Sequence, residues 1–132
     1  LLKDHHKKAL ILGTGGASKA IAYALRSLKI EYDFVSRTAD EFQYKYEELD
    51  ASIFEEYTVI INTTPVGTHP NVNDCPNLDY SLFTKKHIAY DLIYNPEETA
   101  FLRKAKAQSA VTKNGYEMLV LQAEKAWKIW NE

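Results

Sequence analysis

Apolar residues follow two rhythms along this chain. Ala9-Leu10-Ile11-Leu12, residues 32–36 and Thr58-Val59-Ile60-Ile61-Asn62 are short apolar runs closed by polar or glycine residues, the pattern of parallel strands buried on both faces. Between the first two, Ala20, Ile21, Ala24, Leu25 and Leu28 recur at helical spacing and predict a helix over residues 17–28. The alternation continues with a strand over residues 88–93, a helix over 98–107, a short strand over 110–112 and a closing helix over 116–130. Residues 43–56 are mixed, with Ile53 and Phe54 suggesting a short helix after a weak strand. Residues 63–80 turn to Thr, Pro, Asn, Asp and Gly and read as a long loop directly after a strand end, where long loops are commonly functional. There is no internal repeat. Strands and helices alternating at these lengths predict an α/β fold: a doubly wound, mostly parallel sheet of about six strands with helices on both faces.

Composition narrows what such a fold can do here. The chain has 132 residues, room for one domain, and 45% apolar with 26% charged residues is ordinary for a globular protein. No apolar run approaches the roughly 20 residues of a membrane span, so no membrane partner is expected. A formal net charge of −2 argues against a nucleic-acid partner, which calls for a basic excess. The single Cys75 has no partner for an internal disulfide, which points to a reducing cytoplasm. The chain opens without Met and too polar for a signal peptide, and is expected to be the later part of a longer protein.

The chemistry concentrates at two strand ends. Gly13-Thr14-Gly15-Gly16-Ala17-Ser18 fits the G-x-G-x-x-G/A pattern of a Rossmann-like dinucleotide turn, with Ser18 in the third position, and lies between a predicted strand and a predicted helix as that reading requires. The glycines let the backbone approach a pyrophosphate, and the helix N-terminus offers free N–H groups to it. The alternative is a glycine turn that merely reverses the chain. A P-loop is excluded, since Ser18 replaces its second glycine and Ala20 has no hydroxyl for magnesium. The second strand ends in Ser36-Arg37-Thr38, where an NAD site would carry an Asp or Glu for the ribose hydroxyl. A guanidinium with two hydroxyls suits a 2'-phosphate instead, so the pattern selects NADP, unless Arg37 is simply an exposed arginine after a strand.

Together, "LILGTGGASKAIAYAL", "SRT", "IINTTPVGTHP", "YDLIYNPEETAFL" and "NGYEMLVLQAEKAWKIW" resemble the C-terminal cofactor domain of shikimate dehydrogenase, in order and over nearly the whole chain. That resemblance implies NADPH-dependent reduction of 3-dehydroshikimate to shikimate, on the way to aromatic amino acids. It implies that Gly13, Thr14, Gly15, Gly16 and Ala17 hold the pyrophosphate, and that Ser36, Arg37 and Thr38 stand for the family's Asn-Arg-Thr. Residues 62–68, among them Asn62, Thr63, Thr64, Pro65 and Val66, would lie near the nicotinamide half. Leu92 and Gly115 would touch the cofactor, and Tyr94 and Gln122 the substrate. The proton chemistry belongs in the family to a Lys and an Asp upstream of this domain, so the fragment alone would bind NADP(H) without catalysis. Two alternatives stay open: a non-catalytic NADP(H)-binding or regulatory module, and a quinate-type dehydrogenase.

The residues themselves add detail. Asn62 and Thr64 lie just past a strand end, where open α/β sheets place ligands. Gln122 is a polar group on the apolar stripe of Leu119, Ala123, Ala126 and Trp130, and needs a partner, either a backbone carbonyl or a substrate hydroxyl. Asp91 is expected to be structural. His5, His6, His69 and His87 lack ligand spacing, so no metal is expected. Lys29 and Ser109 stand where turn glycines would follow helices.

Overall fold

The computed structural model describes residues 7–36, 44–66, 71–93 and 98–115. In chain order they form β1 (Lys8–Leu12), α1 (Gly16–Ser27), β2 (Glu31–Ser36), β3 (Tyr44–Lys45), α2 (Ala51–Glu56), β4 (Val59–Asn62), β5 (Ile88–Asp91), α3 (Ala100–Ala107) and β6 (Val111–Asn114). The six strands make one sheet in the order β3-β2-β1-β4-β5-β6, every pair parallel. Such a sheet is doubly wound: the chain moves outward from β1 in one direction, returns to its other side at β4, and moves outward again.

Side chains alternate across the sheet and build two cores. Ala9 and Ile11 of β1 and Val59 and Ile61 of β4 pack with Ile21, Ala22 and Leu25 of α1. On the opposite face Leu10, Leu12 and Ile60 pack with Phe54 of α2 and with Phe101, Leu102 and Ala105 of α3. Helices therefore cover both faces, as the apolar runs imply. Four successive residues of β1, Ala9 to Leu12, are completely buried, which is why that run shows no polar alternation. The second core carries an aromatic cluster in which Phe83 packs edge-on against Phe54 and Phe101 and lies parallel to Tyr80. Buried His87 completes it. Its Nδ1 accepts the Thr84 N–H at 3.0 Å, so Nε2 carries the proton and donates to the Phe54 carbonyl at 2.7 Å. Among the described residues no helix is long and apolar enough to cross a membrane.

Differences from the sequence pattern have local causes. The mixed stretch resolves into the two-residue β3, one 3-10 turn at Tyr46–Glu48 and the one-and-a-half-turn α2, each too short to show a period. The strand read over residues 88–93 ends at Asp91, whose Oδ1 accepts the N–H of Ile93 at 3.0 Å and bends the chain there. The predicted closing helix over residues 116–130, with Gln122, lies outside the described residues.

The two longest helices among the described residues end the same way. Lys29 N–H bonds to the Arg26 carbonyl and Ile30 N–H to that of Leu25; Ser109 N–H bonds to Lys106 and Ala110 N–H to Ala105. These are Schellman closures, whose pivotal residue takes a left-handed conformation. Lys29 sits there at φ 60° and Ser109 at φ 71°, without being glycine. The left-handed cost of roughly 1–2 kcal/mol exceeds the entropic cost of glycine, so Ser109→Gly should stabilise the protein by about 0.5–1 kcal/mol. A rise in urea midpoint at constant m-value is the expected reading.

Candidate functional site

In an all-parallel sheet every strand ends on the same edge, and register decides what meets there. Leu12 pairs with Asn62, Asn62 with Asp91 and Asp91 with Asn114, so the ends of β1, β4, β5 and β6 lie level. The segments that follow them, the glycine turn, the residue 62–66 turn, Leu92 and Gly115, share one rim. Between β1 and β4 the winding reverses, the place where open α/β sheets leave a crevice for a ligand.

The glycine turn is built for close approach on one side and close packing on the other. Gly13, at φ +110°, donates its N–H to the Val35 carbonyl at 2.8 Å, and a Cβ there would stand 2.8 Å from Thr63 Oγ1. Thr63 in turn donates its hydroxyl to the Leu12 carbonyl at 2.6 Å and its N–H to the same oxygen at 3.0 Å. Gly15 and Gly16 are the reverse: among the described residues nothing lies within 4 Å of where their Cβ atoms would be, and Thr14 to Ala17 are exposed. Helix α1 starts at Gly16 with no side chain capping it and no acid in its first turn, so its leading N–H groups face this open space. That arrangement fits a dinucleotide pyrophosphate. Ser18 fits beneath the turn, buried, with its hydroxyl donated to the Gly15 carbonyl.

The second turn rests on a buried polar network. Asn62 is fully buried at the end of β4. Its Nδ2 donates to Asp91 Oδ1 at 3.2 Å, while its Oδ1 accepts the N–H of Thr64 at 3.0 Å and the Thr64 hydroxyl at 2.6 Å. Thr64 Oγ1 accepts the N–H of Val66 at 3.3 Å. Asp91, also fully buried, receives the Thr99 hydroxyl on Oδ2 at 2.7 Å, and Thr99 caps α3 by accepting the Leu102 N–H. Burial raises the Asp91 pKa above the usual carboxylate range, and the bonds from Thr99, Ile93 and Asn62 partly offset this. Among the described residues both Asp91 oxygens are engaged inside the protein, so the carboxylate itself faces no ligand.

Gly115, at φ +94°, has nothing among the described residues within 4 Å of where a Cβ would project. Its N–H bonds to the Asp91 carbonyl at 3.0 Å, and its own carbonyl accepts the Tyr90 hydroxyl at 2.7 Å. Leu92 is half-buried, its N–H on the Asn62 carbonyl at 3.2 Å. Pro65 and Val66 are exposed, and Ser36 ends β2 half-buried. Arg37, Thr38, Tyr94 and Gln122 lie outside the described residues, so the 2'-phosphate and substrate positions are not among those the structure brings together. Sequence reasoning missed Tyr90 and Thr99. Thr99 carried a signal, a hydroxyl residue directly before an apolar helix, whereas nothing marked Tyr90. Among the described residues no group of three His, Cys, Asp or Glu side chains could hold a metal ion.

No protein-family model matches the chain. It is similar to the shikimate dehydrogenase (NADP(+)) of Carboxydothermus hydrogenoformans, with 38% identity covering 94% of this chain and 49% of the relative. Among solved structures it is similar to a shikimate dehydrogenase in complex with NADP+, at 30% identity and a TM-score of 0.70 over 94% of this chain and 48% of that one. The shikimate 5-dehydrogenase of Thermus thermophilus, in complex with NADP(H) and shikimate, matches at 35% identity and a TM-score of 0.68 over 92% of this chain and 48% of that one. The chain spans about half the length of the curated relatives it matches.

Proposed function

We propose, on the premise that this chain is homologous over nearly its whole length to one half of the shikimate dehydrogenases, that it is the NADP(H)-binding half of such an enzyme. The observation that carries the reading is the open, uncapped start of α1 at Gly15 and Gly16, at the sheet's winding reversal, in a chain with this homology. The full protein reduces the ketone of 3-dehydroshikimate to the alcohol of shikimate. NADPH supplies the hydride. This chain's residues bind and orient: the first turn of α1 faces the pyrophosphate, Ser36, Arg37 and Thr38 take the 2'-phosphate, and residues 62–66, Leu92 and Gly115 flank the nicotinamide half. Tyr94 and Gln122 contribute to a substrate site shared with the half that supplies the proton-transferring Lys and Asp. The lone thiol of Cys75 fits a cytoplasmic location.

The test is calorimetric titration of the natural polypeptide carrying this chain with NADPH and NADH, alongside turnover of shikimate and quinate with NADP+. NADPH preference is expected. Arg37→Ala should weaken NADPH binding about tenfold to a hundredfold, the equivalent of roughly 1.5–3 kcal/mol for a charged hydrogen-bonded pair, and leave NADH unchanged. Equal binding of the two cofactors would remove Arg37 from the role. Tight NADPH binding without turnover of either alcohol would favour a non-catalytic cofactor module.

A further inference from the structure

We infer that Asp91 is a positioning residue for the nicotinamide end of the site, acting through Asn62 on the turn of residues 62–66. The inference rests on the cofactor reading above and adds a residue that itself has no open path to a ligand. Asp91 is 0% exposed, and both of its oxygens are engaged inside the protein.

The geometry fixes the direction of the relay. Asp91 Oδ1 receives a backbone N–H from Ile93, so it is an acceptor whatever the protonation of the carboxyl, and any proton would reside on Oδ2 facing Thr99 Oγ1. An acceptor at Oδ1 requires the amide nitrogen of Asn62 to face it. The amide oxygen must then point the other way, where it receives both the N–H and the hydroxyl of Thr64. Thr64 Oγ1, oriented by that bond, takes the N–H of Val66. Asp91 therefore anchors the inner end of the Asn62 amide, and the turn is wound around its outer end, which the Thr64 N–H holds from the other side. Without Asp91 the amide loses the acceptor of its Nδ2 and is held only from the Thr64 side.

The experiment uses two probes on the natural polypeptide carrying this chain: NADPH, and 2',5'-ADP, which has the 2'-phosphate but no nicotinamide half. Asp91→Ala should raise the Kd for NADPH about tenfold and leave that for 2',5'-ADP within about twofold. Asp91→Asn should stay within about threefold for both, because its Oδ1 can still accept from Asn62 and Ile93 while Nδ2 donates to Thr99. Asn62→Ala breaks the relay one bond nearer the turn and should reproduce the Asp91→Ala pattern, which keeps the test decisive if the latter does not fold. A merely structural Asp91 would lower the melting temperature and leave the Kd ratio of the two probes unmoved, and that result overturns the inference. Equal weakening of both probes overturns it as well. A wild-type protein that binds neither probe overturns the cofactor reading, and the relay with it.

Discussion

Gly13→Ala should lower the stability of the protein by about 2–6 kcal/mol and abolish cofactor binding. The backbone at Gly13 has φ +110°, a conformation that costs any other residue roughly 1–3 kcal/mol. The new methyl would also stand 2.8 Å from Thr63 Oγ1 and 3.2 Å from Thr64 Cγ2. Thr63 cannot simply swing aside, because its hydroxyl is held by the Leu12 carbonyl at 2.6 Å, and overpacking of this kind typically adds about 1–3 kcal/mol. Gly15→Ala is the informative contrast. Its Cβ meets nothing within 4 Å among the described residues, so stability should change by no more than about 0.5 kcal/mol while a ligand resting on the turn is displaced. Urea unfolding and NADPH titration of both variants separate the two effects. A Gly13→Ala protein as stable as the wild type would mean that the turn is not packed as described.

Asn62→Asp carries the second large effect, and its sign depends on pH. The substitution keeps the acceptor for Thr64 but sets a second carboxyl against Asp91 Oδ1, 3.2 Å from the position of the present amide nitrogen, with both residues fully buried. Two carboxylates so placed cannot both ionise without severe repulsion, so one must keep a proton to a pH well above its unfolded value. The Asp91 pKa is already raised by burial in the wild type. A raised folded pKa favours the native state below the unfolded value near 3.8, and that advantage is lost as pH rises through the folded pKa. Asn62→Asp should therefore be least impaired near pH 4 and lose about 3 kcal/mol or more by neutral pH, the scale of an uncompensated buried charge. Adding Asp91→Asn should recover much of the loss, because only one carboxyl then remains in the pair. Denaturant midpoints across pH 4 to 8 for the single and double variants decide the matter; a flat single-variant profile would contradict the buried contact.

What the sequence made legible was whatever is local. The run Ala9-Leu10-Ile11-Leu12 and the helical spacing from Ala20 to Leu28 lie within single elements, and hydrophobic period alone places them. Lys29 and Ser109 were readable too, because a helix end that turns back into a strand calls for a left-handed residue whatever its identity. The polar network was not readable. Asn62 and Asp91 are 29 residues apart and meet only because β4 and β5 pair in that register, a fact that neither residue's neighbours encode. Tyr90 reaches Gly115 across the same kind of interval. A polar residue past a strand end suggests a ligand contact, and for Asn62 the structure shows an amide already occupied by Asp91 and Thr64.

The central place of β1 has a consequence for how the protein comes to be folded. The strand that carries the glycine turn precedes both of its neighbours in the chain, residues 31–36 and residues 59–62. Its edge facing β4 therefore waits for the whole stretch through residue 62 to emerge before it can be covered. Pairings between strands so far apart are slow to form because the intervening loop must close first. During that interval Leu10, Ile11 and Leu12 are a short, sticky and unprotected segment, the kind that chaperones hold and that seeds aggregation. Variants that weaken β4 should therefore reveal themselves first as poor soluble yield in cells, ahead of any loss of affinity in the purified protein.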